Sequence, residues 1–80
     1  MNYVYILQSI EHPEQFYTGL CKDVAVRLSG HNAGQSLHTS KFKPWRLLSY
    51  HYCERSETAA AFERYLKSGS GRAFAAKHLR

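Results

Sequence analysis

Residues Asn2 to Gln8 read NYVYILQ, and no other stretch limits the fold of this chain so strongly. Side chains alternate along an extended backbone, which puts Tyr3, Tyr5 and Leu7 on one face and Val4 and Ile6 on the other. The residue types are β-branched and aromatic, so the segment is predicted to be a strand with apolar groups on both faces. Eighty residues are enough for one modest core and too few for two ordinary domains. One domain spanning residues 1–80 is therefore expected.

Ser9 to Glu14, with Pro13 and polar residues, separates this strand from a second extended run, Gln15 to Cys21 (QFYTGLC), and a hairpin is the simple connection. Asp23 stands at a helix N-cap position ahead of Val24, Val26 and Leu28, and Gly34 is placed to end the helix in a left-handed cap. A helix over roughly 24–33 follows. Gly30 inside it costs about 1 kcal/mol relative to alanine, so either a close contact or an imperfect helix is expected there. The run GQSLHTSKFKP, Gly34 to Pro44, has no period and carries Lys41 and Lys43; it reads as a basic loop.

Trp45 to Tyr52 (WRLLSYHY) is aromatic and partly alternating, as a third strand would be. Ser56 is placed to cap the helix ETAAAFERYLK, whose Ala59, Phe62 and Leu66 recur at helical spacing and are expected against the sheet. Ser68 to Gly71 (SGSG) breaks the chain before a short helix over Arg72 to Leu79. The predicted fold class is α+β: a small three-stranded antiparallel sheet flanked by helices, in the order β-β-α-β-α-α.

Composition narrows the function. Eleven Lys and Arg against six Asp and Glu leave a formal charge of +5, with a pI near 9.5, which favours polyanions such as nucleic acid. Cys21 and Cys53 stand far apart and outside any CxxC pattern, so they are expected as reduced, space-filling thiols in a cytoplasmic protein. The first residues do not resemble a signal peptide, and no run approaches the ~20 apolar residues of a membrane span. There is no GxxxxGK phosphate loop, and His12, His31, His38, His51 and His78 show no zinc spacing.

Three features carry chemistry. Tyr5 and Tyr17 sit on adjacent predicted strands, where tyrosines most often serve as sheet aromatics. Arg27 and His31 are four residues apart on one helix and so share a face, which is usually only solvated. Glu63 lies at the edge of a buried stripe, where a carboxylate needs a partner, either Arg64 or Lys67.

Tyr3-Val4-Tyr5, eleven intervening residues and then Tyr17-Thr18-Gly19 resemble the signature of the GIY-YIG nucleases, with Arg27 eight positions beyond Gly19 and His31-Asn32 four beyond that. Thr39, Pro44-Trp45 and the run Glu63-Arg64-Tyr65-Leu66-Lys67 are similar to later blocks of that family, so the likeness covers nearly the whole chain. The family includes the incision module of bacterial excision repair, some homing endonucleases and some restriction enzymes.

The resemblance implies a metal-dependent nuclease acting on nucleic acid, with DNA the expected substrate and repair or nucleic-acid processing the implied setting. It implies that Glu63 binds a divalent metal, Mg²⁺ or Mn²⁺, that Arg27 holds the scissile phosphate, and that Tyr5, Tyr17 and His31 surround the attacking water. Gly19 and Asn32 belong to the structural part of the motif. Each role fits the chemistry, because phosphodiester cleavage needs charge neutralised at phosphorus and hydroxide supplied in line. Mg²⁺ accepts one carboxylate, since it keeps several waters and adds substrate oxygens. Tyrosine, with an ordinary pKa near 10, is a poor base unless nearby groups favour its phenolate. Either Tyr5 or Tyr17 can take that part, Tyr5 slightly ahead, with His31 as relay or alternative base.

Lys41, Lys43, Lys67 and Arg72 are the expected nucleic-acid contacts; the plainer reading is scattered solubilising charge. Tyr3 at the first glycine position, Thr18 for isoleucine and Cys21 at a common small-hydroxyl position depart from the pattern without removing a catalytic group. The competing class is a non-catalytic nucleic-acid-binding module in which Trp45, Tyr50, Tyr52 and the basic loop grip strands by stacking and phosphate contacts. Without a second domain for base contacts, specificity is expected from nucleic-acid structure, a protein partner or self-association.

Overall fold

In the computed structural model, which describes residues 1–80, the two-faced strand β1 (Tyr3–Ser9) takes the middle of the sheet. It pairs antiparallel with β2 (Phe16–Cys21) on one edge and β3 (Trp45–Tyr52) on the other. Its central position explains its composition: Val4, Tyr5, Ile6 and Leu7 are all 0–1% exposed. Burying an aliphatic side chain of that kind is worth roughly 1.5–3 kcal/mol, against at most about 1 kcal/mol for an exposed ion pair such as Arg55–Glu57. The strand, not surface charge, organises the domain.

Two apolar clusters lie on opposite faces of the sheet. Val4 and Ile6 pack with Ala59, Leu66, Phe62 and Ala75, which belong to α3 (Ser56–Lys67) and α4 (Gly69–His78). Tyr5 and Leu7 pack with Cys21 and Trp45, and with Val24 and Leu28 of α1 (Val24–Asn32). The thiols divide between the clusters, Cys21 on the Tyr5 side and Cys53 on the Val4 side, each as a small packed group. No helix is long and apolar enough to cross a membrane.

The partial alternation of β3 has a local cause. Tyr5 pairs with Tyr50 and Ile6 with Ser49, but Leu7 pairs with Leu47, so an irregularity between Ile6 and Leu7 leaves Leu48 as the extra residue. One inserted residue reverses the parity of a strand. Trp45 and Leu47 therefore share the Tyr5 side with Tyr50 and Tyr52, while Leu48 joins the Val4 cluster.

The expected order β-β-α-β-α-α is found, with α1 capped as anticipated: the Asp23 carboxylate accepts from the Val26 N–H, and Gly34 has φ +77°. Three local expectations change. The basic loop contains a helical turn, α2 (Leu37–Ser40). Ser56 is the first residue of α3 and not its cap; Arg55 holds the N-cap position, and the Ser56 hydroxyl turns to Glu57. The last helix begins at Gly69 and not Arg72, because Ser68 caps it through the Gly71 N–H and Gly71 lets it start against the end of α3. A Cβ at Gly71 would stand 1.7 Å from the Tyr65 carbonyl oxygen.

Candidate active site

Tyr5 reaches the site from the centre of the sheet. Its register partner on β2 is Gly19, where an added Cβ would lie 2.6 Å from the Tyr5 hydroxyl. Glycine at this position leaves room for the phenol. Above it, α1 presents Arg27 and His31 one turn apart, and both reach the same oxygen: Arg27 Nε lies 3.3 Å from Tyr5 Oη and His31 Nε2 lies 2.9 Å from it. The shared helix face is thus not merely solvated. Arg27 is exposed and takes part in none of the ion pairs, whereas His31 is buried and its Nδ1 lies 2.8 Å from Thr39 Oγ1.

Tyr17 closes the group from β2, half-buried, its ring centroid 4.9 Å from that of His31 and 6.1 Å from that of Tyr5. His38 of α2 adds a further ring 6.4 Å from Tyr17. Asn32 holds the frame: its side chain donates to the Trp45 carbonyl and accepts the Trp45 N–H, tying the end of α1 to the start of β3.

The electrostatics follow from burial. The Tyr5 phenol is pushed up to about 12, first by desolvation; the Arg27 contact opposes that rise and the nearby Tyr17 adds to it. His31 is held below its ordinary value, first by burial and then by the Arg27 charge, so the ring is neutral at pH 7. Burial also raises the Cys21 thiol, which keeps it protonated and unreactive.

A family model described as the GIY-YIG catalytic domain matches residues 1–77. This chain belongs to the GIY-YIG family. It is a nuclease-type family, so the domain is a nuclease catalytic domain and nucleic acid is its class of substrate. No curated protein and no solved structure matches the chain.

The remaining GIY-YIG motif residues are distributed around the edge strand β2. Glu63 belongs to α3, which covers the opposite face of the sheet, and it forms no hydrogen bond or ion pair with Tyr5, Tyr17, Arg27 or His31. Its side chain is 15% exposed and its carboxylate is ion-paired with Lys67 one turn on, which is one of the two plainer pairings open to it in the sequence. Lys67 lies with Tyr17, Thr18, His38 and Arg72 around a cavity of about 520 Å³ beside β2. Lys41 lines an adjoining cavity of about 200 Å³ that shares Tyr17 and His38, whereas Lys43 lines neither and reaches toward Gly34.

Glu63 offers one hard carboxylate oxygen donor set, and no three His, Cys, Asp or Glu side chains gather as a metal site. That donor chemistry fits an ion that keeps most of its water, as Mg²⁺ and Mn²⁺ do, and not a tetrahedral all-protein zinc site. Trp45 is 3% exposed and belongs to the core, which takes it out of any stacking surface; Tyr50 and Tyr52 remain exposed. In the sequence Thr39 stands out only as part of a motif block. Its bond to His31 has no sequence signal, because it depends on α2 folding back over α1.

Proposed function

We propose that this chain is a metal-dependent phosphodiesterase that cleaves DNA, with Arg27, Tyr5, His31 and Tyr17 on one face of the sheet and Glu63 across β2. The observation that carries this reading is the chain of contacts Arg27–Tyr5–His31, which puts a fixed cation, a phenol and a neutral base in one line. The outer guanidinium nitrogens of Arg27 bind a non-bridging phosphate oxygen. Glu63 would hold the divalent cation, Mg²⁺ or Mn²⁺, which when bound supplies positive charge against the phosphate.

A phenol with a pKa near 12 cannot serve as a standing phenolate. It acts instead as a relay: the phenol oxygen takes a proton from the attacking water as its own proton passes to His31 Nε2. The water oxygen forms its bond to phosphorus, the bond from phosphorus to the leaving oxygen breaks, that oxygen leaves as an alcohol after taking one proton from solvent water, and His31 returns its extra proton to solvent. Tyr17, half-exposed beside His31, orients the water at the rim. Arg27 Nε–H occupies one lone pair of the Tyr5 oxygen and leaves the other for the water, while the outer guanidinium nitrogens face the phosphate.

Lys41, Lys67 and Arg72 line the cavities that meet at Tyr17, and this common boundary supports a strand path beside β2. The test is cleavage of labelled single-stranded, duplex and branched DNA, and of RNA, with Mg²⁺, Mn²⁺ or EDTA. Metal-dependent cleavage of DNA is expected. Cleavage that survives complete chelation would sink the metal part, and binding without cleavage of any substrate would leave a nucleic-acid-binding module.

A further inference from the structure

We propose that Thr39 is the positioning residue that accepts the Nδ1 proton of His31, holding the tautomer that the Arg27–Tyr5 contact selects and so enabling Tyr5 to hand over its proton; this rests on the nuclease reading above. The direction of each hydrogen bond follows from one end. Arg27 is a donor without acceptor capacity, and its Nε–H is directed at Tyr5 Oη, 3.3 Å away. The phenol oxygen accepts there, so its own proton goes to its other neighbour, His31 Nε2, at 2.9 Å. Nε2 then presents a lone pair, and the neutral ring carries its proton on Nδ1, 2.8 Å from Thr39 Oγ1.

The opposite tautomer would have His31 donate from Nε2 to an oxygen that already accepts from Arg27. The phenol proton would then be left without a partner in a side chain 1% exposed. An unpaired buried donor is costly enough to disfavour that state by roughly tenfold or more.

The surroundings of Thr39 show a turn built to hold it. Of the four residues of α2, Thr39 is the buried one, 1% exposed, while the apolar Leu37 stands 91% exposed. The turn thus buries a hydroxyl and leaves its leucine in water, the reverse of ordinary packing; a buried hydroxyl needs a partner, and His31 is it. Trp45 Nε1–H donates to the Thr39 carbonyl at 3.0 Å, so the core tryptophan anchors the residue that orients the histidine. The groups facing His31 are Tyr5 from β1, Tyr17 from β2, Arg27 on its own helix and Thr39 from α2, with His38 beyond Tyr17.

The experiment combines ¹⁵N NMR of the histidine rings with single-turnover cleavage, for the full chain, Thr39→Val and Thr39→Ser, with His31→Gln used to assign the His31 signals. The full chain is expected to show the proton on Nδ1. Thr39→Val keeps the shape, loses the acceptor and should lose the tautomer preference together with about tenfold in rate. Thr39→Ser should keep both. A ring protonated on Nε2 in the full chain, or a Thr39→Val protein with unchanged tautomer and rate, overturns the proposal. If Thr39→Val does not fold, the full-chain spectrum and the serine variant still decide. A full chain with the expected tautomer that cleaves nothing supports the positioning role and overturns the nuclease reading instead.

Discussion

Arg27 touches the phenolic oxygen of Tyr5 through Nε at 3.3 Å while its guanidinium enters no ion pair. One side chain is therefore held at its inner edge and free at its outer edge. Lysine, a single point charge, cannot do both. Arg27→Ala and Arg27→Lys should each lower cleavage by about 10²-fold or more, and Arg27→Ala should also weaken DNA binding. Glu63→Gln should abolish cleavage with binding largely kept. Circular dichroism checks the folds; a folded variant that cleaves like the parent removes that residue from the site.

Phenylalanine substitution separates the two tyrosines by role. Tyr5→Phe keeps the buried ring and deletes the group between Arg27 and His31, so the chemical step should fall at least ~10²-fold with DNA affinity nearly unchanged. Tyr17→Phe should fall less, because its hydroxyl orients water without a partner bond to His31. Single-turnover rates measure both. Equal wild-type rates would refute tyrosine chemistry, and a larger loss at Tyr17 would assign the relay to that residue.

Acid should act through His31. Its folded pKa is lower than its unfolded value near 6.5, so between the two values the unfolded chain binds more protons and stability falls as pH drops through that window. His51, shifted the same way by burial, contributes alongside it. Urea midpoints from pH 8 down to 5 should therefore decline below about 6.5, less steeply in His31→Gln and His51→Gln. Cleavage should lose rate only lower, as pH falls through the folded His31 pKa at the bottom of that window, since a protonated ring cannot accept from Tyr5. A rate that holds steady at a pH where ¹⁵N NMR shows the His31 ring protonated would take His31 out of the relay.

Salt should report the strand path. If Lys41, Lys67 and Arg72 meet phosphates beside Tyr17, log affinity should fall linearly with log salt, and each of Lys67→Ala and Arg72→Ala should reduce the slope by about one. Lys43→Ala, on the side chain that lines neither cavity, should leave it unchanged. Fluorescence anisotropy between 50 and 300 mM salt, concentrations on the order of those used for such slopes, measures it. A flat dependence would count heavily against a nucleic-acid substrate.

Two glycines should fail in different ways. Gly19→Ala puts a methyl 2.6 Å from the Tyr5 hydroxyl, which can shift, so cleavage should suffer more than stability. Gly71→Ala drives a methyl to 1.7 Å from the Tyr65 carbonyl oxygen, which is backbone and cannot yield without moving a helix. A loss of roughly 1–3 kcal/mol or more is expected for Gly71→Ala in urea unfolding. Comparable effects of the two on stability would contradict this division.

What the sequence determined by itself is what neighbouring residues decide. The two-faced strand Tyr3–Ser9, the Asp23 and Gly34 caps of α1 and the apolar stripe of α3 depend on periodicity and local hydrogen bonding within a few residues, and all stand where expected. The motif spacing likewise located Tyr5, Gly19, Arg27 and His31, because pairing of adjacent strands and one turn of helix bring them together. Only the tertiary structure decided the rest. Thr39 is buried because α2 folds over α1 and Trp45, and α4 starts as early as Gly69 because Gly71 can sit against the Tyr65 carbonyl at the end of α3. The irregularity that turns Tyr50 to the same side as Leu47 exists only in the pairing of β3 with β1. The Glu63–Lys67 pair is a one-turn contact open in the sequence, but that α3 carries it to the sheet face opposite Tyr5 was not. The placements of Thr39, β3 and α3 depend on contacts between residues distant in the chain, and a linear pattern carries no distance across a sheet.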